Sequence, residues 1–287
     1  MKKSIYLSIY LSIYLSVSLN GQTTNNQDLE KGTSIQRNTL FNLDEIKVRW
    51  KKAALENCPG VPCVVSPPAP SFTCGTSTIT DTDNNIYNTV LIGTQCWTKE
   101  NLKVTKYNNG TSILLDASGG SAGNGGGQTW SGQSTGAYTI YGNESSTGPN
   151  ATNYGFLYNW YAVADNRGLC PTGWHVPNAV EWSTLVNFLG SNAGGKMKST
   201  VTQPSNGGWD SPNSGATNQS GFSGLPGGYR VSGGRFDLVR NNAEFWSATE
   251  ITSNTASTLG LLHNLGIVGT SSYNKQNGHP VRCLINP

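Results

Sequence analysis

Three observations predict an α+β fold for this chain: a loop-rich composition, two short stretches of helical period, and a succession of brief apolar segments separated by turn residues. The 287 residues include 35 Gly and 13 Pro, and only 12% are charged, a balance that favours turns and hairpins over long solvated helices. An all-α architecture is thereby excluded. The length is sufficient to bury a substantial core, in one large domain or two small ones.

At the N-terminus, Lys2 and Lys3 precede an apolar run from Ser4 to Leu19 in which Ser-Ile-Tyr-Leu recurs three times. This is the form of a secretory signal peptide, expected over residues 1–21, and the run is too short to be a comfortable membrane span. Cleavage near Gly21-Gln22 would leave no stable span. The expected location is secreted, or at the cell surface or in the periplasm. Six cysteines in an exported protein indicate disulfides rather than thiols or zinc, and they allow fifteen pairings. Removing Lys2 and Lys3 from the 19 basic residues leaves 17 against 16 acidic, a net charge of about +1. A near-neutral surface gives no signal for nucleic acid.

Residues 22–78 are expected to form a polar lead-in, an amphipathic helix over 42–57 and a Pro-rich linker. Leu43, Ile46, Trp50, Ala53 and Ala54 share one face of that helix, with Asp44 and Glu45 early and Lys51 and Lys52 late. Cys58-Pro59-Gly60 ends it, and Pro67-Pro68-Ala69-Pro70 is stiff and extended. The main domain is expected over 79–287. It begins with paired strands around Ile79-Thr80, Val90-Leu91-Ile92, Cys96-Trp97 and Leu102-Val104, turning at Asp83-Asn84-Asn85 and Gly93-Thr94.

Two helices follow. Leu157, Trp160, Tyr161 and Ala164 fall on one face over 155–165, closed by Arg167-Gly168. Asn178 and Glu181 then have capping-box spacing ahead of Trp182, Leu185, Val186 and Leu189, and Gly190 ends the second helix. Beyond it, Gly-, Asn- and Ser-rich loops alternate with short strands expected at 222–225, 228–231, 235–239, 245–249, 259–263 and 280–285, with a hairpin turn at Ser232-Gly233-Gly234.

Motifs that could carry chemistry fail on inspection. Asp81, Asp83 and Asn85 have the spacing of a calcium loop, but the sixth position is Ile86 and the twelfth Ile92, so a plain turn is expected. Gly132-Gln133-Ser134-Thr135-Gly136 matches a nucleophile elbow yet lacks the strand before and the helix after that it requires. His175, His263 and His279 have no metal-ligand spacing. No metal, no cofactor and no catalytic residue is expected.

The segments 81–107 (with Ile-Gly-Thr-Gln-Cys-Trp and Glu-Asn-Leu-Lys), 154–162, 169–182, 213–230 (ending Leu-Pro-Gly-Gly-Tyr-Arg), 245–250 (Phe-Trp-Ser-Ala-Thr-Glu) and Val281-Arg282-Cys283 resemble, in order, the Fibrobacter succinogenes major paralogous domain. The resemblance spans about 79–284. It implies a C-type-lectin-like fold, in the branch that includes formylglycine-generating enzymes, and an exported protein of Bacteroidota-like bacteria. It also suggests a bridge between Cys170 and Cys283, with Cys74–Cys96 and Cys58–Cys63 alongside it.

Three functional readings follow. Formylglycine-type oxidase chemistry requires a redox-active cysteine pair in the C-terminal part, and no cysteine lies between Cys170 and Cys283. The Glu-Pro-Asn or Gln-Pro-Asp and Trp-Asn-Asp motifs of calcium-dependent lectins are also missing from the sequence. A non-catalytic binding or adhesion module is the expected function, with a surface glycan or protein as partner. Candidate ligand-binding residues are Trp209, Asn213, Asn218, Tyr229, Arg230, Asn241, Asn242, Glu244, Asn254 and Asn264, whose types suit polar recognition from loops, as do those of Tyr273 and Asn274. The third reading treats the Asn-rich loops as a surface diversified by an adenine-directed retroelement. Trp97, Trp160, Trp174, Trp182 and Trp246 are expected in the core.

Overall fold

The computed structural model describes residues 71–117 and 132–287, all within one compact unit that starts at Pro70. The expected signal peptide, the helix over 42–57, the linker and the Cys58–Cys63 pairing lie outside the described residues. Thirteen strands and four α-helices make the described part α+β. In chain order the strands are β1 (Thr78–Thr80), β2 (Ile86–Ile92), β3 (Gln95–Thr98), β4 (Leu114–Leu115), β5 (Ala137–Thr139), β6 (Leu157–Tyr158) and β7 (Trp174–His175). They continue as β8 (Tyr229–Arg230), β9 (Phe236–Asp237), β10 (Asn242–Thr252), β11 (Thr255–Leu262), β12 (Val268–Asn274) and β13 (Leu284–Ile285). The helices are α1 (Pro149–Tyr154), α2 (Trp160–Val163), α3 (Ala179–Leu189) and α4 (Ala193–Met197).

One five-stranded sheet, in the order β1-β2-β3-β13-β7, ties the start of the domain to its end, because β13 pairs with both β3 and β7. Its two hairpin turns are those expected: Asn84 and Gly93 both adopt positive φ, at 65° and 62°, where Asn and Gly are tolerated. Two disulfides brace the same sheet, Cys74–Cys96 and Cys170–Cys283. Asp81 stays a plain turn residue. Its Oδ1 accepts the backbone N–H groups of Asp83 and Asn85 and its Oδ2 accepts the Tyr87 hydroxyl, so donors, not a cation, surround it.

The α3 helix starts as its sequence dictates. The Asn178 side chain accepts from the N–H groups of Val180 and Glu181, and Glu181 Oε2 accepts the Asn178 N–H at 2.8 Å. Trp182, Leu185 and Leu189 are its buried face, and Gly190 ends it at φ 66°. The helix expected over 155–165 is shorter. Gly155 breaks the period at φ 72°, Leu157 and Tyr158 pair with β5, and only Trp160–Val163 coil, capped by the Asn159 side chain. Pairing with a neighbouring strand outweighs the helical spacing there.

The second main sheet is β10-β11-β12, with β12 at its edge. One face, carrying Ala243, Phe245, Leu259 and Leu261, packs into a core with Trp97, Trp182 and Trp209. The other face carries Trp246 and Ala256, which belong to a second core with Trp160 and Trp174. All five tryptophans expected inside are buried. Of the later strands expected, β8, β9, β10, β11 and β13 form within or around their ranges, 222–225 remains a loop, Leu102–Val104 is buried without pairing as a strand, and β12 is additional.

Candidate functional site

The sheet β10-β11-β12 positions the most unusual chemical grouping in the domain. Antiparallel register places Glu244 opposite Gly260 and Gly260 opposite Gly269, and likewise Trp246, Thr258 and Ser271 in one row, with Ala256 opposite Tyr273. Directly opposed residues share a face of the sheet. Glu244, Thr258, Ser271 and Tyr273 therefore share one face, and the two glycines form a lane across the sheet to which they add no side chain of their own. The Glu244 carboxylate lies over the first of them: a Cβ on Gly260 would meet Oε1 at 2.7 Å and Oε2 at 2.9 Å.

Glu244 is only 4% exposed. Among the described residues its carboxylate accepts one hydrogen bond, from the Thr258 hydroxyl at 3.1 Å, and no lysine, arginine or histidine forms an ion pair with it. Burial without a counter-charge favours the neutral acid, and it pushes Glu244 up to about 7, against the Thr258 bond.

Aromatic rings meet around His279. His279 is fully buried, with the Trp246 ring edge-on at 4.5 Å, Tyr273 at 4.7 Å and Tyr229 stacked at 5.3 Å. Burial pushes its imidazole down to about 3, partly offset by the backbone carbonyl of Glu244, so it is neutral at physiological pH. Tyr229 and Tyr273 lie 5.7 Å apart and are half-buried. Both hydroxyls are raised, first by burial and then by nearby charge that includes Glu244, Tyr273 to about 12. The result is a neutral tyrosine pair at the surface beside a carboxyl poised near neutrality.

The ten residues predicted from sequence divide on this geometry. Tyr229 and Glu244 come together here. Asn254 and Asn264 are exposed, and Asn218 and Asn241 are half-buried and hydrogen-bonded within their loops, Asn218 to Ser223 and Asn241 to Asp210. Trp209, Asn213, Arg230 and Asn242 are buried, as Glu244 is. Trp209 fills the core, and its indole N–H donates to the Gly224 carbonyl. Arg230 donates to the Asp116 carbonyl at 2.9 Å, Asn213 donates to the Ser199 carbonyl, and Asn242 closes a turn onto Leu238. Loop asparagines serve the backbone: Asn213 and Asn218 adopt positive φ, a conformation asparagine tolerates.

Sequence reasoning singled out neither Thr258 nor the two glycines. Their signal is a register, Glu244 to Gly260 to Gly269, which exists only once the strands pair. A separate shallow groove of about 310 Å³, lined by Leu91, Phe188, Lys196 and Gln219 among others, contains none of the ten. Its one cation is committed, the Lys196 ammonium donating to the Leu189 carbonyl at 2.6 Å. Among the described residues no group of His, Cys, Asp and Glu is arranged to hold a metal ion, and no helix is long and apolar enough to cross a membrane.

The family model of the Fibrobacter succinogenes major domain matches residues 90–284. The chain belongs to this family. The match begins inside β2 and ends at the first residue of β13, so it covers β3, β7, α3, the Cys170–Cys283 bridge and the whole β10-β11-β12 sheet, and leaves β1 outside. Neither curated proteins nor solved structures gave a match. Within the Fibrobacter succinogenes major domain, the tyrosine pair and Glu244 fall in the last third, Tyr229 on β8 and the other two on the β10-β11-β12 sheet.

Proposed function

We propose that this chain is an exported, non-catalytic binding module of the cell surface, built on a C-type-lectin-like fold, which recognises a glycan or a protein through the Tyr229–Tyr273 patch. The observation that carries the proposal is the pairing of two half-buried tyrosines with a buried carboxyl that has no counter-charge among the described residues. Rigid aromatic rings offer contact area at small entropic cost, and a carboxyl near its pKa can accept or donate a hydrogen bond. Two disulfides fit folding in an oxidising compartment, as the Lys2-Lys3 leader and its apolar run would require. A sheet that joins the two ends of the domain, a capped helix after Cys170 and a second small sheet support the C-type-lectin-like reading.

The experiment is a glycan and protein array probed with the mature chain and with the double variant Y229A/Y273A. Binding to one class, weakened at least tenfold in the variant, supports the proposal. Binding that the variant retains in full would place recognition elsewhere, and turnover of an array component would replace a binding role with a catalytic one.

A further inference from the structure

Resting on the recognition patch just proposed, the lane across β10-β11-β12 narrows the choice of ligand. Over Gly260 it is filled by the Glu244 carboxylate, but over Gly269 it is open: a Cβ there would find no atom closer than 3.9 Å, the nearest being the Gly260 carbonyl and a Leu262 methyl. Gly269 is on the edge strand and half-buried. The lane is thus a slot, one side chain wide, that opens at the sheet edge and ends on a carboxylate more than nine-tenths buried.

We propose that this slot takes the primary ammonium group of a lysine side chain from a partner polypeptide, its stem lying over Gly269 and its charge meeting Glu244. Charge complementarity carries the assignment, because a buried carboxylate without a counter-charge gains most from a cation delivered to it. The dimensions agree. Neighbouring strands are about 4.8 Å apart, so a group entering over β12 must cross about one strand spacing, which the four-carbon stem of lysine covers. A sugar ring is wider than the single-residue lane. Tyr229 and Tyr273 lie near enough for the Glu244 charge to act on their hydroxyls, and aromatic rings attract a cation further.

Ammonium binding requires the ionised carboxylate. The other titratable groups near it are Tyr229 on β8, Tyr273 on β12 and His279 before β13, all neutral from mild acid to mild alkali. Asp237, which acts on Tyr229, is paired with Arg235 at 2.7 Å. Glu244 alone changes charge in that window, so affinity should rise about tenfold per pH unit up to about pH 7 and level off above.

The test is a titration of the full mature chain, followed by amide NMR, with Nα-acetyl-lysine methylamide, its norleucine analogue and glucosamine as probes. Saturable shifts at Gly260 and Gly269 with the lysine probe alone, weakened at least tenfold in Glu244→Gln and in Gly269→Val, are the expected result. The second variant fills the slot while leaving the carboxylate in place, so a loss there is not a loss of charge. Equal binding of norleucine or glucosamine, lysine binding unchanged in Glu244→Gln, or no binding of the lysine probe would each overturn the assignment. A neutral glycan from the array that depends on Tyr229 but not on Glu244 would overturn it while leaving the recognition patch standing.

Discussion

Burial raises the Glu244 carboxyl from its ordinary 4.5 to about 7, so between those values the folded chain holds a proton that the unfolded chain has released. Stability then falls as pH rises, because the folded state binds more protons. The penalty is absent below about pH 4 and complete above about pH 8, where a shift of this size corresponds to about 3 kcal/mol. Glu244→Gln should therefore be more stable than the parent by about that much at pH 8, with the difference gone at pH 4. Urea denaturation of both proteins across this range measures it, and a difference independent of pH would mean that Glu244 is not strained by burial. His279 contributes with the opposite sign. Its imidazole is held down at about 3, so its contribution is complete above about pH 6.5 and is lost as pH falls below that, and comparing two proteins that both contain it cancels the effect.

At the scale of elements, close backbone approach explains where glycine is required. A Cβ on Gly195, inside α4, would lie 2.0 Å from the Gly215 carbonyl oxygen, whereas Gly233, in the β8–β9 turn, has nothing within 4 Å. Gly195→Ala should cost about 3 kcal/mol and Gly233→Ala less than about 0.5 kcal/mol, measured by chemical denaturation. The α3 cap gives a milder case: Asn178→Ala should cost about 1 kcal/mol by the same assay. These elements also show what a sequence discloses. The α3 boundaries were legible because cap, apolar period and terminal glycine agree with one another over Asn178 to Gly190. The α4 helix was not, since Ala-Gly-Gly-Lys-Met has poor helix propensity and coils only because its glycines fit against the Gly215 loop and the Ile267 carbonyl. Strand β12, Val-Gly-Thr-Ser-Ser-Tyr-Asn, lacks apolar alternation and is held by its pairing with β11. Half of the candidate site was therefore legible as residue types, Tyr229, Glu244 and Tyr273, while Gly260, Gly269 and Thr258 join it only through that pairing.

At the scale of the whole molecule, the two disulfides among the described residues tie distant parts of the chain to one five-stranded sheet. Cys170–Cys283 closes a separation of 113 residues and Cys74–Cys96 one of 22, for which chain entropy gives about 5 and about 3 kcal/mol. Replacing both partners by serine should cost more for the first pair than for the second in equilibrium denaturation, and the reverse order would show that local packing outweighs loop closure. The proposed recognition falls at the β12 edge of the Glu244 face of β10-β11-β12, where Gly269 and Tyr273 are half-buried. Backbone amide shift mapping of the full mature chain, with whichever array component it binds, tests this most directly. Perturbations confined to β8, β11 and β12 around Tyr229, Gly260, Gly269 and Tyr273 are expected, and perturbations centred instead on the loops around Asn218 and Asn264, or on the groove beside Phe188, would contradict it.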